Sequence, residues 1–243
     1  MKKSLITLIL LLLSISSYAQ KQVSFGISCG LSLSSIKAID FLPGDYGYEP
    51  GYAGELYVRL LLNPHLFFES DLGILQRGYR FEEESTLNIN DTKYENSYVG
   101  VNWKVSDSYL NTDLLFGYQT GNTLRISIFG GAFISYYLFS NIYDHNYVYI
   151  DPNDYELIND PAIPVGMYEN KSETRKRNEY TSNWDLGITG CISLAYDLNS
   201  KTSLRLTGKY YNGLLNIYEN EFYDQAKIYN RSFVTTVGIV VRR

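Results

Sequence analysis

Two histidines are the first candidates for acid–base chemistry in this chain of 243 residues. His65 lies in a short polar turn, and His145 directly follows Asp144 within a long polar stretch. An aspartate beside a histidine is the beginning of a catalytic dyad, which a hydrolase or acyltransferase would place at the rim of a small barrel. A solvated histidine in a loop is far commoner. We therefore predict no catalytic residue, and a rim enzyme using His145 is an alternative.

Metal and cofactor chemistry has weaker support. Oxygen ligands cluster at Asp151, Asn153, Asp154 and Asp160. Their spacing lacks the glycine-centred loop of a calcium site. The two cysteines, Cys29 and Cys191, are too few for a four-ligand zinc site, and they lie on opposite faces of strands that should not pair. The sequence also lacks a glycine-rich phosphate loop. From these three observations together we predict no metal, no cofactor and no disulfide.

Charged side chains recur at alternate positions within segments that are otherwise apolar. They are Glu55, Arg59, Glu69, Asp71, Asp113, Arg125, Arg205 and Lys209, and the same alternation includes Arg77 and Asp185. Alternate residues of a strand face the same side of a sheet. A tight turn at 63–65 pairs two of these strands, which predicts Arg59 near Glu69 or Asp71. Because an unpaired buried charge is costly, we predict a structural network of paired charges, with a solute pathway as the alternative.

Apolar and polar residues alternate with a period of two in about eight segments, which predicts strands. These segments are 23–33, 52–62, 66–78, 108–119, 124–138, 184–198, 202–212 and 232–241. A few residues break the alternation, since Leu75, Phe129 and Phe133 fall on the polar face and Gln76 on the apolar face. Either bulges or packing inside the barrel would explain them.

The connections between these strands alternate in length. Tight turns at 63–65, 120–122 and 199–201 alternate with long polar connections at 34–51, 79–107, 139–183 and 213–231. Transmembrane barrels have this design, with short periplasmic turns and long extracellular loops. The pattern therefore predicts a single closed antiparallel all-β barrel with both chain ends in the periplasm.

The composition of the two faces indicates which one meets lipid. The apolar face is Leu, Ile, Val and Phe with almost no charge, whereas the other face is rich in Gly and Ser. This favours a membrane barrel over a soluble lipocalin-type barrel that encloses a ligand. Tyrosines near the strand ends predict an aromatic girdle at Tyr52, Tyr79, Tyr118, Tyr136, Tyr196 and Tyr210. Eight strands leave an interior just wide enough for side chains, so we predict a plugged barrel rather than an open pore.

The first residues have the layout of a secretory signal peptide. Lys2 and Lys3 precede the apolar run 5–13, and small residues permit a cut between Ala19 and Gln20. The prediction is a signal peptide at 1–19 and one barrel domain at 20–243. The net charge of −5 makes nucleic acid a poor partner. A short basic run at 171–177 offers contacts to lipopolysaccharide phosphates, although a solvated loop tip is the commoner role.

Several framework motifs make the chain similar to the PorT-like outer-membrane β-barrel family. They are FGISCGL at 25–31, GYAG at 51–54, the segment 68–78, DLGITG at 185–190 and YYNGLLNI at 210–217. The resemblance covers essentially all of 21–243 and implies a small barrel of the Gram-negative outer membrane. One branch of the family is associated with a protein-secretion system. None of these motifs is catalytic.

Together these features predict a monomeric barrel in the outer membrane with a structural or surface-interaction role. The expected partners are outer-membrane lipid, lipopolysaccharide and envelope proteins, the last reached through the connections at 79–107 and 139–183. An accessory role in protein secretion or surface assembly and a small-solute channel are the alternatives.

Overall fold

The computed structural model describes residues 23–39, 45–89, 92–151, 182–217 and 227–242. These residues form eight antiparallel strands in one closed barrel, which confirms the predicted fold. The strands are β1 (Val23–Ile39), β2 (Asp45–Leu61), β3 (Leu66–Ile89), β4 (Thr92–Thr120), β5 (Leu124–Tyr149), β6 (Trp184–Asp197), β7 (Thr202–Gly213) and β8 (Lys227–Arg242). No helix in these ranges is long and apolar enough to cross a membrane. The predicted signal peptide and its Ala19–Gln20 cut lie outside the described residues.

The barrel closes because the first strand pairs with the last. Strand β1 pairs with β8 from Ser24 opposite Arg242 to Ile39 opposite Lys227, while its other edge pairs with β2. Every strand of the ring therefore has two neighbours, and its backbone groups are satisfied without water. A sheet can cross a lipid bilayer only in such a closed form.

Burial alternates along the strands in the sense that a membrane barrel requires. Strand β6 alternates strictly between exposed and buried residues, with Asp185 fully buried and Leu186 exposed. Leu31 is 72% exposed and Ile128 is 66% exposed, although both are large and apolar. A water-soluble barrel would have the opposite arrangement, so this apolar outer surface fits contact with lipid.

Polar turn residues account for the tight connections. The side chain of Asn63 accepts hydrogen bonds from the backbone N–H groups of His65 and Leu66, at 2.8 and 2.7 Å. Asn199 does the same for Lys201 and Thr202 in the β6–β7 turn. Gly121 has a φ of 103°, a conformation that favours glycine, in the β4–β5 turn. These three turns lie at one end of the barrel, which is the predicted periplasmic end.

The long connections are shorter than predicted because the strands continue outward. Most of 34–51 and 79–107 is strand, and β5 extends to Tyr149, so the prediction of polar loops over these ranges is wrong in part. The rings of Phe81 and Trp103 pack 5.3 Å apart inside this extension, and Tyr46 packs 5.2 Å from Phe81. Part of this extension does alternate with a period of two, because apolar residues at 99, 101, 103 and 105 are separated by Gly100, Asn102, Lys104 and Ser106. The sequence prediction missed that signal. The basic run 171–177 and the oxygen ligands at 153, 154 and 160 lie outside the described residues.

Three of the four residues that break the alternation are explained by packing inside the barrel. Leu75 and Phe133 belong to one buried apolar cluster, and Phe129 belongs to another with Phe67 and Leu115. One register shift, between Tyr48 and Ala53 of β2, lies opposite Leu75 to Tyr79 of β3 and therefore includes Gln76. The other shifts lie between 86 and 87 and between 108 and 109. Interior packing therefore explains the three apolar exceptions, whereas Gln76 lies at an irregularity of the β2–β3 ladder.

Candidate functional site in the barrel interior

Polar side chains fill the barrel interior in four layers, which follow one another from the periplasmic end outward. The first layer, the rim cluster, consists of Arg125, Asp197, Ser203 and Arg242. Arg125 donates to Asp197 at 2.8 Å, and Arg242 donates to Ser203 at 2.7 Å and lies 2.5 Å from the Asp197 carboxylate. Two arginines thus share one carboxylate where β5, β6 and β8 reach the periplasmic end.

The second layer, the Glu69 cluster, contains two arginines around one glutamate. Arg205 donates to both oxygens of Glu69 at 2.8 and 2.9 Å, and Arg59 Nε donates to Oε2 at 2.6 Å. The guanidinium of Arg59 lies 3.7 Å from the ring centroid of Phe67, and that of Arg205 lies 4.5 Å from Tyr57. These aromatic faces stabilise the second positive charge, which the single carboxylate leaves uncompensated.

The third layer, the Lys209 cluster, has the opposite balance, with one ammonium among three carboxylates. Lys209 Nζ donates to Glu55 at 2.5 Å, to Asp71 at 2.6 Å and to Asp113 at 3.2 Å. Asp71 and Asp113 are directly opposite each other in the β3–β4 ladder. Like charges in that position repel, so the lysine holds the pair together. Tyr211 also donates to Asp113, at 2.7 Å.

The fourth layer, the Arg77 cluster, lies toward the extracellular end. Arg77 forms a 2.7 Å ion pair with Asp185 and donates to Asn111 at 3.2 Å. Asn230 donates to Asp185 at 3.0 Å, and the guanidinium of Arg77 lies 4.7 Å from the ring centroid of Phe133. Both charges are fully buried and each has further polar or aromatic partners.

Several of these contacts join opposite walls of the barrel. In a ring of eight strands, β3 and β7 are four strands apart and therefore face each other. Arg205 and Lys209 of β7 reach Glu69 and Asp71 of β3 directly. The polar contacts of the second and third layers thus span the whole width of the lumen.

Small wall residues leave room for these long side chains. Gly26 faces inward beneath the ring of Tyr57, and a Cβ at Gly26 would lie 2.1 Å from that ring. A larger residue there would displace Tyr57, which contacts Arg205. Inward-facing Ser24, Ser28 and Ser193 are also buried and small.

The three carboxylates of the Lys209 cluster also resemble a metal-ligand set, because Glu55, Asp71 and Asp113 each offer an oxygen within 4.8 Å of the others. The ammonium group of Lys209 contacts all three carboxylates and supplies the cation between them. This arrangement fits a lysine at the centre and does not fit an added divalent ion.

The structure places all eight charged residues of the predicted network inside the barrel, in three of the four layers. Arg59 lies against Glu69 and not against Asp71. Sequence reasoning did not assign partners to Tyr211, Asn111, Asn230 or Arg242. The polar alternation contains the signal for Asn111 and Tyr211, whereas Arg242 lies at the end of β8, where the alternation is weakest.

The two histidines have different surroundings in the structure. His65 stacks on Tyr118 at 5.4 Å and lies 3.1 Å from the backbone oxygen of Gln119. Asp144 and His145 are successive residues of β5, so their side chains point to opposite faces and do not make the dyad. Cys29 is exposed, Cys191 is buried, and both are free thiols.

A closed antiparallel barrel with an apolar outer surface and charged side chains in its lumen defines a transmembrane β-barrel. The chain belongs to the outer membrane protein beta-barrel domain family, whose model matches residues 18–219. Its location is therefore the outer membrane. No curated protein matches its sequence.

Solved structures of low sequence identity are similar in fold. One is Ail, the attachment invasion locus protein of Yersinia pestis, in complex with the heparin analogue sucrose octasulfate. Its sequence is 10% identical and its TM-score is 0.35, and the match covers 91% of this chain and 99% of that one. Neisserial surface protein A is 10% identical with a TM-score of 0.35, covering 89% and 96%. OprG of Pseudomonas aeruginosa is 11% identical with a TM-score of 0.38, covering 92% and 97%. Similarity at this level carries no inference about function.

Proposed function

We propose that this protein is a sealed, monomeric outer-membrane barrel that does not conduct solutes and has a structural and surface-interaction role. The observation that carries the proposal is the pair of contacts across the lumen, Arg205 with Glu69 and Lys209 with Asp71. A solute could pass only if these contacts opened. Breaking a buried ion pair by removing one partner costs about 3–5 kcal/mol, and several pairs would have to open together.

The packing around the ion pairs supports the same conclusion. Phe67, Leu115 and Phe129 form a buried cluster beside the Glu69 cluster, while Leu75, Phe133 and Tyr211 form one nearer the extracellular end. The cavity lined by Arg59 and Arg205 measures about 20 Å³, and the one lined by Asp71 and Tyr211 about 10 Å³. Because a single water needs roughly 10–15 Å³ of such volume, neither cavity is a pathway.

The surface role rests on the uneven height of the barrel wall. Strands β3, β4 and β5 contain 24, 29 and 26 residues, whereas β6 and β7 contain 14 and 12. One side of the barrel therefore extends well beyond the membrane and offers a surface to envelope proteins and lipopolysaccharide. Within the membrane the closed ring leaves no free strand edge, which supports a monomer.

Conductance in a planar lipid bilayer tests the seal. The purified full chain should give no steady ionic current. Replacing Glu69, Asp71, Arg205 and Lys209 together by alanine should raise the current, because this variant removes both contacts across the lumen. The matched control, Lys104→Gln on the extracellular extension, should stay silent. Large, stable, ion-selective currents from the wild type would overturn the proposal and favour a small-solute channel.

The similarity to PorT-like proteins supports a second proposal, an accessory role in protein secretion. The motif YYNGLLNI at 210–217, which carries part of this similarity, lies at the end of β7. Within it, Tyr211 donates a hydrogen bond to Asp113 inside the barrel. Tyr211 therefore has a framework role, and we propose that a secretion partner would bind the extracellular extension instead. Loss of secreted proteins in a deletion strain, restored by the wild type, would support this role. Unchanged secretion in the deletion strain would contradict the accessory role and leave only the structural role.

We also propose that residues 1–19 are removed on export. Amino-terminal sequencing of protein from isolated outer membranes should begin at Gln20. Mature protein that still begins at Met1 would contradict this.

A further inference from the structure

Three basic residues are near neighbours on the outer face of the β1–β8 pair, toward its extracellular end. Lys37 of β1 is directly opposite Tyr229 of β8, and Arg231 and Lys227 lie two residues to either side of that tyrosine. Diagonal neighbours in an antiparallel pair are about 7–8 Å apart. We call Lys37, Lys227 and Arg231, with Tyr229 at the centre, the basic patch.

The alternation of burial shows that the basic patch faces outward. The intervening residues Ile36 and Ile228 are buried in an apolar cluster, and Asn230 is buried against Asp185. Lys37 and Lys227 are exposed, and Arg231 and Tyr229 are half-buried. The basic patch thus lies on the same face of the sheet as the lipid-contacting residues.

The basic patch is adjacent to the apolar outer surface of the barrel. On that outer face, Leu33 of β1 and Phe233 of β8 are the large apolar residues nearest to the basic patch on its membrane side, and they are 44% and 52% exposed. On that face the next residue of β8 after Phe233 is Arg231. On β1, Ser35 lies between Leu33 and Lys37. The basic patch therefore borders this apolar surface on its extracellular side, where we place the boundary of the bilayer, and the one exposed apolar residue of β1 beyond it is Ile39, opposite Lys227.

Basic residues elsewhere on the extension have different surroundings. Arg80 of β3 lies 3.7 Å from Glu49 and 3.8 Å from Glu82, and Lys104 lies 5.4 Å from the ring centroid of Tyr143. In the part of the chain that the structure describes, the three basic residues of the patch form no ion pair, and Arg231 Nε is shielded from solvent without a hydrogen-bond acceptor. Three like charges that have no counter-ion among the described residues favour an anionic ligand.

We propose that the basic patch binds the phosphate groups of lipopolysaccharide in the outer leaflet. A phosphorylated glycolipid puts its phosphates at the boundary of the bilayer, and its acyl chains can lie along Leu33 and Phe233 below. Arginine recognises phosphate through paired N–H donors, and the two lysines add charge. The inference rests on the proposed location and surface role of the barrel, and it names a partner for one face of it.

The test measures binding of diphosphoryl lipid A to the full-length protein in phosphatidylcholine nanodiscs. A basic side chain near an anionic surface changes affinity about fivefold, so Lys37→Gln with Lys227→Gln and Arg231→Gln should weaken binding roughly a hundredfold. The matched control replaces Arg80, Lys104 and Lys201 by glutamine and should bind within about twofold of the wild type. Equal binding by the two triple variants would overturn the proposal.

A measurement on the wild type keeps the proposal falsifiable if the triple variant does not fold. Removing both phosphates from lipid A should abolish most of the binding, and raising the salt from about 50 mM to about 500 mM should weaken it by screening. Equal affinity for dephosphorylated lipid A, or for phosphatidylglycerol discs, would overturn the assignment. These results are independent of the bilayer conductance that tests the sealed barrel, so the two proposals can fail separately.

Discussion

The Glu69 cluster and the Lys209 cluster are neighbouring layers on the same strands, yet they solve opposite electrostatic problems. The first has two arginines around one carboxylate, and the second has one ammonium among three carboxylates. Glu69 and Asp71 are alternate inward residues of β3, so the excess positive charge of one layer lies next to the excess negative charge of the other. Each layer is therefore incomplete without its neighbour.

The two clusters also use different neutral partners. Aromatic faces surround the arginines, with Phe67 beside Arg59 and Tyr57 beside Arg205. Hydroxyl groups surround the carboxylates, and Glu55 accepts hydrogen bonds from Ser28 at 3.0 Å and from Thr236 at 3.3 Å. Planar cations can stack on rings, whereas carboxylates need donors, so the chemistry of each charge determines what lines its layer. Glu69 is the one carboxylate shared by the two arginines of its cluster, and Lys209 is the one ammonium shared by the three carboxylates of the other.

The largest effect is expected from Lys209→Met. The substitution removes the only cation that contacts Glu55, Asp71 and Asp113 in the Lys209 cluster. The free energy of unfolding should fall by about 3–5 kcal/mol, because uncompensated buried charge remains. Urea titration of the folded barrel in liposomes measures it. Adding Asp71→Asn should recover part of the loss. A double variant no more stable than the single one would show that the acids do not act through Lys209.

Glu69→Gln is the corresponding change in the other cluster. It leaves Arg59 and Arg205 without their shared carboxylate, and we expect a loss of about 3 kcal/mol. Their aromatic partners remain, so the loss should be smaller than for Lys209→Met. The same urea titration compares the two variants. A greater loss for Glu69→Gln would reverse the comparison and show that the rings contribute little.

Leu206→Arg changes the lipid-facing surface and leaves both clusters intact. Leu206 is exposed on β7 between the inward residues Arg205 and Thr207. A charge there should destabilise the barrel by about 2–4 kcal/mol if the site is near the bilayer midplane. Leu60→Arg and Ile128→Arg should behave alike in liposomes. The effect should shrink in detergent micelles, whereas the effects of the interior variants should persist. Full tolerance of all three changes would mean that this face does not meet lipid.

Arg59→Ala should have a smaller effect than Glu69→Gln, because Arg205 still donates to both oxygens of Glu69. Losing one charged hydrogen-bond partner costs about 1.5–3 kcal/mol. The loss of heat-modifiable gel mobility should therefore occur at a lower temperature than in the wild type. A variant as damaged as Glu69→Gln would show that Arg205 alone cannot hold the carboxylate.

The smallest effect is expected from Tyr211→Phe. The change removes one hydroxyl donor to Asp113 and retains the ring, which lies 5.2 Å from Phe133. The expected loss is about 1 kcal/mol, again by urea titration. A loss as great as that of Lys209→Met would mean that hydroxyl donors, and not the ammonium, neutralise the acidic layer.

The sequence alone determined the strands and the direction of their side chains. Period-two alternation is local, because each residue's face follows from the pleat of its own strand. It therefore predicted that Arg59, Glu69 and Lys209 share one face and that Leu206 and Ile128 share the other. It also predicted the tight turns, where Asn63 and Asn199 bond their own backbone.

Only the tertiary structure decided which charges meet. Arg205 and Glu69 are 136 residues apart in the chain, and their 2.8 Å contact depends on the closure of β1 onto β8 and on the stagger of eight registers. The outward extension of β3, β4 and β5 was only partly visible in the sequence, because residues 99–106 alternate whereas much of the rest of the extension is paired by backbone hydrogen bonds without a regular side-chain pattern. Alternation assigns a residue to the lumen, but only the closed ring brings opposite walls within hydrogen-bonding distance.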